Sequence, residues 1–384
     1  MKKFAFITIS LKTQSGINKT YQAKCKALRK LGLSNFHFYI LNPNYEYKNG
    51  ILNYIRINKS DTIKYIYQRY NIIKKYVPVD KYDVLSIRFN SLDVSSLSFV
   101  NDYKVVSEHH TKAYFERKLK IKCFFNEKDR KYNKLFFDCY SLGLDCLFEK
   151  NYLKKISGII GISNEVVLYE KRKINNDIPS IVIPNGTNVE SIAQSGFKKF
   201  NGKTINLVFV ANKLNPWHGL DRLLTSINRY NGKINIVLNL VGDFEVSESL
   251  ISNKNVKLIH WGLVDQSQLI NVFSKSNVGV SSLGLYRNDM TEGSPLKTAE
   301  YCASGIPFIY AYETSDFDNV KNSYKFCLKL DNNSSEIDFD NIINFANEVS
   351  QKKDISDYMR NYAFHQFDWT IKMKQYYEFM KSLD

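Results

Sequence analysis

The stretch LVFVANKLNPWHGLDRLL, residues 207–224, joins an apolar run, a loop with basic side chains and a helical segment in one unit. The apolar run starts at residue 205 and predicts a buried strand over residues 205–210, and the segment after the loop predicts a helix over residues 220–229. Strands and helices that alternate in this way favour a parallel sheet with right-handed crossover connections. The stretch therefore predicts an α/β domain.

The same alternation occurs on both sides of this stretch. The pattern predicts further strands at residues 4–9, 36–41, 82–87, 104–107, 158–162, 180–183, 234–241, 256–259, 278–281 and 307–310, and further helices at residues 18–31, 62–76, 128–155, 164–173, 266–274 and 296–303. The series restarts after the turn signal Pro184-Asn185-Gly186, which predicts two doubly wound domains split near residues 185–203. Open parallel sheets bind ligands beyond the carboxyl ends of their strands, so we expect the site in a cleft between two such domains.

The composition excludes several classes of protein. Of the 384 residues, 44% are hydrophobic and 24% are charged, which is typical of a soluble globular chain. No stretch of about 18 apolar residues predicts a membrane-spanning helix. The first residues predict a strand rather than a signal peptide, because their apolar run is short and contains Thr and Ser. The six cysteines lie far apart, which excludes a zinc ribbon and fits a reducing cytoplasm.

The excess of positive charge lies in the first half of the chain. Residues 1–200 contain 35 Lys and Arg against 17 Asp and Glu, a net charge of +18, whereas residues 201–384 have a net charge of −2. Nucleic acid, an anionic membrane or a phosphorylated ligand are the candidate partners, and general solubility is the alternative explanation. Nucleic acid is disfavoured because the basic residues are dispersed and no nucleic-acid-binding motif accompanies them.

Two basic clusters in this half are expected to dock the protein on the anionic inner face of a membrane. They lie in segments that we place beside the cleft entrance or on outward helix faces. The residues are Lys2, Lys3, Lys24, Lys26, Arg29 and Lys30 in one cluster, and Arg117, Lys118, Lys120 and Lys122 in the other.

The segment EGSPLKTAE, residues 292–300, places two glutamates eight positions apart across a loop-to-helix junction. The four residues after Glu292 are expected to form the turn that opens a helix, where backbone N–H groups bind a phosphate. These four residues are Gly293, Ser294, Pro295 and Leu296. Lys297 would add a positive charge to the same phosphate, and Glu300 would accept hydrogen bonds from a ribose. In the alternative interpretation Lys297 is solvated and Glu292 is an exposed acid near a helix N-terminus.

The loop of the opening stretch carries a second candidate site. Lys213 follows the predicted strand, and His218 lies at the entrance of the helix, so both are candidates to face a diphosphate. Arg222 lies one helical turn later and is equally a candidate for a surface salt bridge. Trp217 is interpreted either as a packing residue or as a stacking platform.

In the first half, the sequence Glu108-His109-His110 follows a predicted strand. By position we prefer His110 over His109 as the functional histidine, and a structural role is the alternative. A pair of histidines also suggests a metal, but no further Cys or His is spaced to complete such a site, so no metal is expected. The loop that contains Gly16 also follows a first strand, and a single glycine there is a weak signal.

These segments resemble the retaining glycosyltransferases of family 4, which have the GT-B fold. Glu292 and Glu300 match the Glu-x7-Glu motif of that family, and Asn212-Lys213-Leu214 with His218-Gly219 occupy its phosphate-binding positions. Residues 183–188, IPNGTN, match the interdomain junction, and Phe367-Asp368-Trp369 matches the C-terminal segment that folds back on the first domain. The resemblance covers most of residues 180–384 and is weak before them.

The resemblance implies two Rossmann-like domains that face a cleft. The first, residues 1–186 with a helix at about 367–384, would bind the acceptor, and the second, residues 187–366, would bind a nucleotide sugar. It assigns Glu292 and His110 to catalysis, and Gly16 and Glu108 to an acceptor or phosphate loop. Two departures concern the phosphate site: Lys213 replaces an Arg, which removes a bidentate contact, and His218 replaces a Lys. His218 would be charged only with a raised pKa, so donor binding is expected to be weaker or pH-sensitive.

The function implied is that of a cytoplasmic retaining glycosyltransferase, a hexosyltransferase of class EC 2.4, that is either soluble or peripheral on the plasma membrane. Its donor would be a nucleoside diphosphate sugar of the UDP type, used without a cofactor or metal. Its acceptor would be a glycan or a lipid-diphosphate-linked glycan in the synthesis of a bacterial surface polysaccharide such as capsule, O-antigen or lipopolysaccharide. The alternatives are an epimerase or hydrolase of nucleotide sugars with the same fold, and a non-enzymatic module that binds nucleotides or nucleic acid.

Overall fold

A computed structural model describes residues 2–10, 16–44, 46–65, 67–125, 132–175 and 177–383 of the chain. The chain divides into two compact units, of which the first contains Met1–Pro184 with Trp369–Asp384 and the second contains Asn185–Asp368. None of the helices in the described ranges has the length and apolarity to cross a membrane.

The first unit has an eight-stranded sheet flanked by helices. Its elements up to residue 184 are β1 (Phe4–Ile9), α1 (Gly16–Lys30), β2 (Phe36–Asn42), β3 (Tyr47–Asn49), β4 (Leu52–Arg56), α2 (Lys59–Lys64), α3 (Arg69–Tyr76), β5 (Val84–Arg88), α4 (Ser96–Asp102), β6 (Val105–His109), α5 (Ala113–Phe124), α6 (Tyr132–Leu153), β7 (Gly158–Gly161), α7 (Asn164–Arg172) and β8 (Ser180–Val182). The strand order is β3-β4-β2-β1-β5-β6-β7-β8, and every described pair is parallel except β3 with β4. The order reverses between β1 and β5, where such sheets bind ligands.

The second unit is a six-stranded, fully parallel sheet. Its elements are β9 (Thr204–Val210), α8 (Leu220–Arg229), β10 (Asn235–Val241), β11 (Val256–Gly262), α9 (Gln266–Ser274), β12 (Val278–Val280), α10 (Leu296–Ser304), β13 (Phe308–Tyr310), β14 (Cys327–Lys329), α11 (Phe339–Gln351) and α12 (Ile355–Gln366). The order β11-β10-β9-β12-β13-β14 is the doubly wound order of a Rossmann-like domain, and it reverses between β9 and β12. The predicted fold class, two doubly wound Rossmann-like α/β domains, is confirmed.

The last helix, α13 (Trp369–Ser382), belongs to the first unit. The strand β1 buries both of its faces, with Phe4 and Phe6 in one core and Ala5 and Ile7 in the other. Burial on both faces explains why the strand is a continuous apolar run. Helices α1 and α13 cover the first of these two cores with buried aromatic and apolar side chains, among which are Tyr21, Leu28, Trp369, Met373, Tyr376 and Met380.

Some elements of the first unit differ from the sequence-based prediction. The helix predicted over residues 62–76 is two helices, α2 and α3, with a break before Arg69. The strands β3 and β4 and the helices α4 and α5 were not predicted. Polar side chains such as Asn53 interrupt the apolar pattern of β4, and α5 has polar and apolar residues on all sides, so neither segment has a clear period.

Candidate functional site

The candidate site in the second unit begins with the loop before α10. The Gly293 N–H donates to the Glu313 carbonyl oxygen at 3.0 Å, and a Cβ added to Gly293 would lie 2.5 Å from the Leu285 side chain. The Ser294 hydroxyl donates to the buried Asp316 carboxylate at 2.9 Å. Glycine is thus required at residue 293 by close packing, and both contacts fix the loop that leads into the helix.

Helix α10 starts at Leu296 after Pro295, and no side chain caps its N-terminus. The first N–H groups of a helix lack partners within the helix, and the helix dipole adds partial positive charge there. The predicted loop-to-helix junction is confirmed in position. The phosphate ligand expected there remains a prediction.

Lys297, in the first turn of α10, has its ammonium group buried. Among the described residues, no acceptor lies within hydrogen-bond distance of Lys297 Nζ, which lies 4.5 Å from the centroid of the Phe209 ring. Burial lowers the pKa of Lys297 to about 7, against a smaller opposing effect of the Glu300 carboxylate. Buried charged groups are normally paired. The unpaired ammonium therefore marks a position where an anion would supply the missing partner.

His218 ends the 3-10 turn Pro216–His218 after β9. Its Nδ1 accepts a hydrogen bond from the Asn215 backbone N–H at 3.2 Å, so the proton of the neutral ring is on Nε2. Burial, and then the charge of Lys297, lower the pKa of His218 to about 2. A charge on His218 required a raised pKa, and burial lowers the pKa instead, so the ring is neutral. His218 offers a neutral Nε2–H donor, because a second positive charge beside Lys297 in a buried setting is disfavoured.

Backbone hydrogen bonds join the loops that follow β9 and β12. The Leu283 N–H donates to the His218 carbonyl at 3.0 Å, and the Gly284 N–H donates to the Trp217 carbonyl at 3.2 Å. Gly219 is left-handed with φ of 69°, and a Cβ there would lie 2.7 Å from the Leu283 carbonyl carbon. Glycine is therefore required where the two loops meet, beside the point at which the strand order reverses.

The sequence left open the roles of Arg222, in the first turn of α8, and of Trp217, in the turn before that helix. Arg222 is not a surface salt-bridge residue: it is buried and donates to three carbonyl oxygens, those of Leu283, Asp331 and Ser335, at 2.7–3.0 Å. Trp217 is half-buried, with its ring at 71° to that of His218. Arg222 therefore stabilises the loops rather than binding a ligand.

The remaining predicted donor residues lie around these loops. Lys213 is exposed, three residues after the end of β9. Glu292 is half-buried and forms an isolated parallel bridge with Glu313, whereas Glu300 is half-buried in α10 and acts electrostatically on Lys297. Lys297 therefore interacts electrostatically with both His218 and Glu300. Lys213 remains on the surface.

The first unit contains a pocket of about 350 Å³ at the carboxyl ends of β1, β5 and β6. Four cationic side chains line it: Arg69, Arg88, Arg117 and Lys120. Glu116 and Asp138 supply two carboxyl groups, and His110 forms part of the wall. Lys120 pairs with Glu116 at 2.5 Å and Arg117 with Asp145 at 3.0 Å, so these two cations are already neutralised by acids.

His110, and not His109, lines this pocket. Its Nε2 lies 2.9 Å from Arg88 Nη1, and because a guanidinium only donates, the neutral ring carries its proton on Nδ1. Burial and the Arg88 charge lower the pKa of His110 to about 4. His109 is buried behind the pocket, stacked on Phe89 at 4.5 Å with Nδ1 3.3 Å from the Glu170 carboxylate. The geometry agrees with the preference for His110, whose catalytic role remains a prediction.

Glu108 is not a loop residue, contrary to its predicted place in an acceptor or phosphate loop. It lies within β6 and is 1% exposed, paired with the buried Lys24 ammonium at 3.3 Å and accepting from the Ser86 hydroxyl at 3.0 Å. Burial alone would raise the pKa of Glu108, but the Lys24 charge and the hydrogen bonds hold it well below its usual range. Glu108 is therefore part of the core.

Lys24 and Arg117 do not belong to outward basic clusters, because both are buried. The Lys24 ammonium also donates to the Tyr376 hydroxyl at 3.1 Å and lies within 5.5 Å of four aromatic rings. Burial lowers the pKa of Lys24, although the Glu108 charge acts in the opposite direction. Gly16 is the first residue of α1, and the loop before it, residues 11–15, lies outside the described residues.

Sequence reasoning missed Arg88, Arg69 and Phe209. Arg88 ends a strand, and the rule that ligands bind at carboxyl ends of parallel strands was a usable signal for it. Arg69 and Phe209 had no such signal, because tertiary packing alone brings them to their sites. In the described ranges, no group of three or more His, Cys, Asp or Glu side chains is arranged to hold a metal ion.

No protein-family model matches this chain, and no curated protein matches it. Solved structures do match it over its whole length. A sucrose-phosphate synthase from Thermosynechococcus elongatus matches with a TM-score of 0.63 at 15% identity, over 100% of this chain and 99% of that chain. The lipopolysaccharide outer core galactosyltransferase WaaB, in its apo form, matches with a TM-score of 0.58 at 13% identity, over 99% of each chain.

HepE from Anabaena, in complex with UDP and glucose, matches with a TM-score of 0.57 at 13% identity, over 100% of each chain. At such identities the likeness shows the fold alone. The fold is that of the GT-B glycosyltransferases.

Proposed function

We propose that the protein is a retaining glycosyltransferase that transfers a sugar from a nucleoside diphosphate sugar to a glycan or a lipid-diphosphate-linked glycan. The observation that carries the proposal is the buried, unpaired ammonium of Lys297 in the first turn of α10. Solved structures with the same fold include a galactosyltransferase and a protein, HepE, in complex with UDP and glucose. A diphosphate carries negatively charged oxygens that can accept hydrogen bonds from the N–H groups at a helix N-terminus and from a buried ammonium at the same time.

The donor diphosphate would be held by the second unit. Its oxygens would accept from Lys297, from the N–H groups at the start of α10 and from Nε2–H of His218. Lys213, on its exposed loop, would add a further positive charge. Glu300 would accept hydrogen bonds from the ribose, and Glu292 from hydroxyl groups of the donor sugar. The nucleotide would be of the UDP type, by analogy with the HepE complex.

In the reaction, the bond between the anomeric carbon and the diphosphate oxygen breaks. The acceptor oxygen forms its bond to the same face of that carbon, and its proton passes to the departing diphosphate. Fixed positive groups stabilise the charge that develops on the leaving group. Lys297 and the N-terminus of α10 would supply this stabilisation, and no metal or cofactor takes part in the proposed chemistry.

The first unit would bind the acceptor in the pocket that contains His110. A neutral His110 would donate from Nδ1–H, because its Nε2 accepts from Arg88. Arg88 would thus set the tautomer of the catalytic histidine as well as its orientation. The pathway would be the synthesis of a bacterial surface polysaccharide such as capsule, O-antigen or lipopolysaccharide, since WaaB, which acts in lipopolysaccharide synthesis, has the same fold.

The first test is a thermal-shift series with UDP, ADP, GDP and CDP. A ligand at 100 times its Kd adds about 2.7 kcal/mol of stability to the unit that binds it. We expect one of these nucleotides to stabilise the wild-type protein, with the effect lost in Lys297→Gln and kept in Lys257→Gln, a matched change of an exposed lysine in the second unit. The absence of stabilisation by every nucleoside diphosphate would contradict the proposal.

The second test measures release of the nucleoside diphosphate from its sugar conjugate, with and without a glycan acceptor. Release that depends on the acceptor supports a transferase. Equal release without an acceptor would identify a hydrolase, and interconversion of the sugar without release would identify an epimerase. Retention is read from the anomeric configuration of the product by nuclear magnetic resonance, and an inverted product would remove that part of the proposal.

A further inference from the structure

The pocket of the first unit contains a cation that lacks an acidic partner. Of the four cations that line it, Arg117 and Lys120 are paired with acids, as described above. Among the described residues, the guanidinium of Arg88 has one hydrogen-bond partner, the neutral ring of His110, and no carboxylate within salt-bridge distance. That contact uses Nη1 of Arg88, so the N–H groups on Nε and Nη2 remain for a ligand.

The charge of Arg88 acts on the groups around it and is not cancelled by them. Burial and then the Arg88 charge lower the pKa of His110, and burial with the same charge lowers the pKa of Lys24. The Glu108 carboxylate is already paired with Lys24 at 3.3 Å. Charged groups in such settings are normally paired. An anion bound in the pocket would supply the partner that Arg88 lacks.

A second cationic side chain of the pocket wall has an unsatisfied donor. Arg69, in the first turn of α3, is 4% exposed, and its Nε has no hydrogen-bond partner in the part of the chain that the structure describes. Its guanidinium carbon lies 4.6 Å from the centroid of the Tyr65 ring, and its Nη1 donates to the Ser91 carbonyl. Asp93 binds the backbone N–H of Arg69 at 2.7 Å rather than its guanidinium.

The pocket also contains a carboxyl group that can accept hydrogen bonds from a ligand. Asp138 of α6 is 7% exposed and makes no hydrogen bond or salt bridge with the described residues. Glu116, by contrast, has both oxygens occupied, one by Lys120 and the other by the Thr111 hydroxyl at 2.7 Å. Carboxyl oxygens accept from hydroxyl groups. Asp138 is therefore suited to a ligand that carries hydroxyl groups.

The rest of the wall is largely aromatic. Tyr65, Phe89 and Phe137 line the pocket, whose volume is about 350 Å³. Apolar walls with a few placed polar groups are typical of sites for small organic ligands, and this volume lies near the lower end of their range. A sugar unit presents C–H groups to aromatic rings and hydroxyl groups to Asp138.

We propose that this pocket binds an acidic sugar, that is, a sugar unit that bears a carboxylate. The carboxylate would pair side-on with Nε and Nη2 of Arg88, which is the bidentate geometry that a guanidinium favours. Hydroxyl groups of the sugar would donate to Asp138. The assignment of this sugar as the accepting unit of the glycan rests on the proposed function, whereas its binding does not.

Charge favours a carboxylate over a phosphate in this pocket. A phosphate monoester carries a charge of about −1.5 to −2 at pH 7 and would lie in one pocket with Glu116 and Asp138. Like charges in a shared site disfavour each other. Arg69 interacts electrostatically with Asp93, so Arg88 supplies one uncompensated positive charge. A carboxylate, with its single negative charge, matches that surplus.

The test is ligand-observed nuclear magnetic resonance of the full chain without a nucleotide. The probes are the methyl glycosides of glucuronic and galacturonic acid, the matching neutral glucoside and galactoside, and glucose 6-phosphate. We expect one of the two acidic glycosides to bind at least tenfold more tightly than its neutral counterpart and more tightly than glucose 6-phosphate. A charged, bidentate contact corresponds to a factor of about 10 to 100 in affinity.

The variants separate charge from geometry. Arg88→Gln should lower the affinity for the acidic glycoside about 10- to 100-fold and leave that for the neutral one unchanged, and Arg88→Lys, which keeps the charge without the planar edge, should restore part of it. Asp138→Asn should weaken both glycosides by a similar factor of about five. Arg56→Gln, a change of an exposed arginine that ends β4 as Arg88 ends β5, should alter neither.

The thermal midpoint of each variant verifies that it is folded. Equal binding of acidic and neutral glycosides, no binding of either, tighter binding of glucose 6-phosphate, or unchanged discrimination in folded Arg88→Gln would overturn the inference. A role of Arg88 confined to the tautomer of His110 would leave the discrimination unchanged. Binding of the acidic glycoside by a protein that no nucleoside diphosphate stabilises would support the site and contradict the proposed function, so the two are tested separately.

Discussion

Binding of a nucleoside diphosphate is expected to be coupled to proton uptake by Lys297. In the free protein the ammonium has no hydrogen-bond acceptor among the described residues, and burial lowers its pKa to about 7. A bound diphosphate would supply negative charge and acceptors, which raise the pKa back toward the ordinary value of a lysine. The complex then binds a proton that the free protein lacks, so the affinity for the diphosphate falls as pH rises.

The size and sign of the effect follow from that pKa. At pH 8 a group with a pKa near 7 is about one-tenth protonated, so binding should take up about 0.9 proton. The affinity should therefore fall about tenfold for each unit of pH above 7, until the pKa of the complex is reached. Below pH 7 the phosphates themselves titrate, near pH 6, so the measurement belongs at pH 7.5 and above.

Isothermal titration calorimetry with UDP in two buffers of different ionisation enthalpy measures this uptake directly. Lys297→Met should abolish the uptake and weaken binding, whereas Lys213→Gln, a change of an exposed lysine in the same site, should weaken binding and keep the uptake. Wild-type binding without proton uptake, or the same uptake in Lys297→Met, would refute the interpretation of Lys297 as an unpaired phosphate ligand.

Four further predictions concern both units. Glu108→Gln breaks the buried pair with Lys24 and should lower the free energy of unfolding, measured by urea denaturation, by about 3–5 kcal/mol. The double variant Lys24→Met with Glu108→Gln should lose less stability than the sum of the two single variants. Because the pKa of Glu108 is depressed in the folded protein, its contribution to stability is present above about pH 4.5 and is lost as pH falls toward the folded pKa. An acid-unfolding midpoint that is the same in Glu108→Gln and in the wild-type protein would contradict this prediction. His110→Ala should lower turnover far more than UDP affinity, whereas His109→Ala should mainly lower thermal stability, and normal turnover in His110→Ala would remove it from the site. Glu300→Ala should weaken UDP binding by about 1–3 kcal/mol in calorimetry if it holds the ribose, and an unchanged Kd in the folded variant would exclude that role. Turnover should survive treatment with EDTA, and a loss restored by added divalent metal would contradict the proposed leaving-group chemistry.

The parts of the fold that sequence reasoning predicted are those with a strong local pattern. The first strand was predicted at residues 4–9 and is observed at Phe4–Ile9, because both of its faces are buried and every position is apolar or small. The start of α10 was predicted from its loop-to-helix junction. Strand β3 was missed because it is an edge strand of three exposed residues, and β4 was missed because polar residues such as Asn53 interrupt its apolar pattern.

Residues of the candidate site were predicted by position, but their chemical state was not. Whether His218 is charged depends on its pKa, which is set by burial and by Lys297, 79 residues later in the chain. The tautomer of His110 is set by Arg88, at the end of the neighbouring strand. Glu108 looked like a loop acid because its partner, Lys24, lies in α1, 84 residues earlier in the chain. Contacts between distant segments determine such states, and local sequence does not record them.

The placement of α13 has a consequence for synthesis on the ribosome. The second unit is one continuous segment, so all of its residues have been synthesised before α13 is made. The first unit, although begun earlier, lacks the part of its cover over Phe4, Phe6 and the Lys24 ammonium that Trp369 and Tyr376 of α13 supply. The core of the nascent first unit therefore stays partly open until α13 is made, so the unit that is begun first can be completed only after the whole second unit has been synthesised.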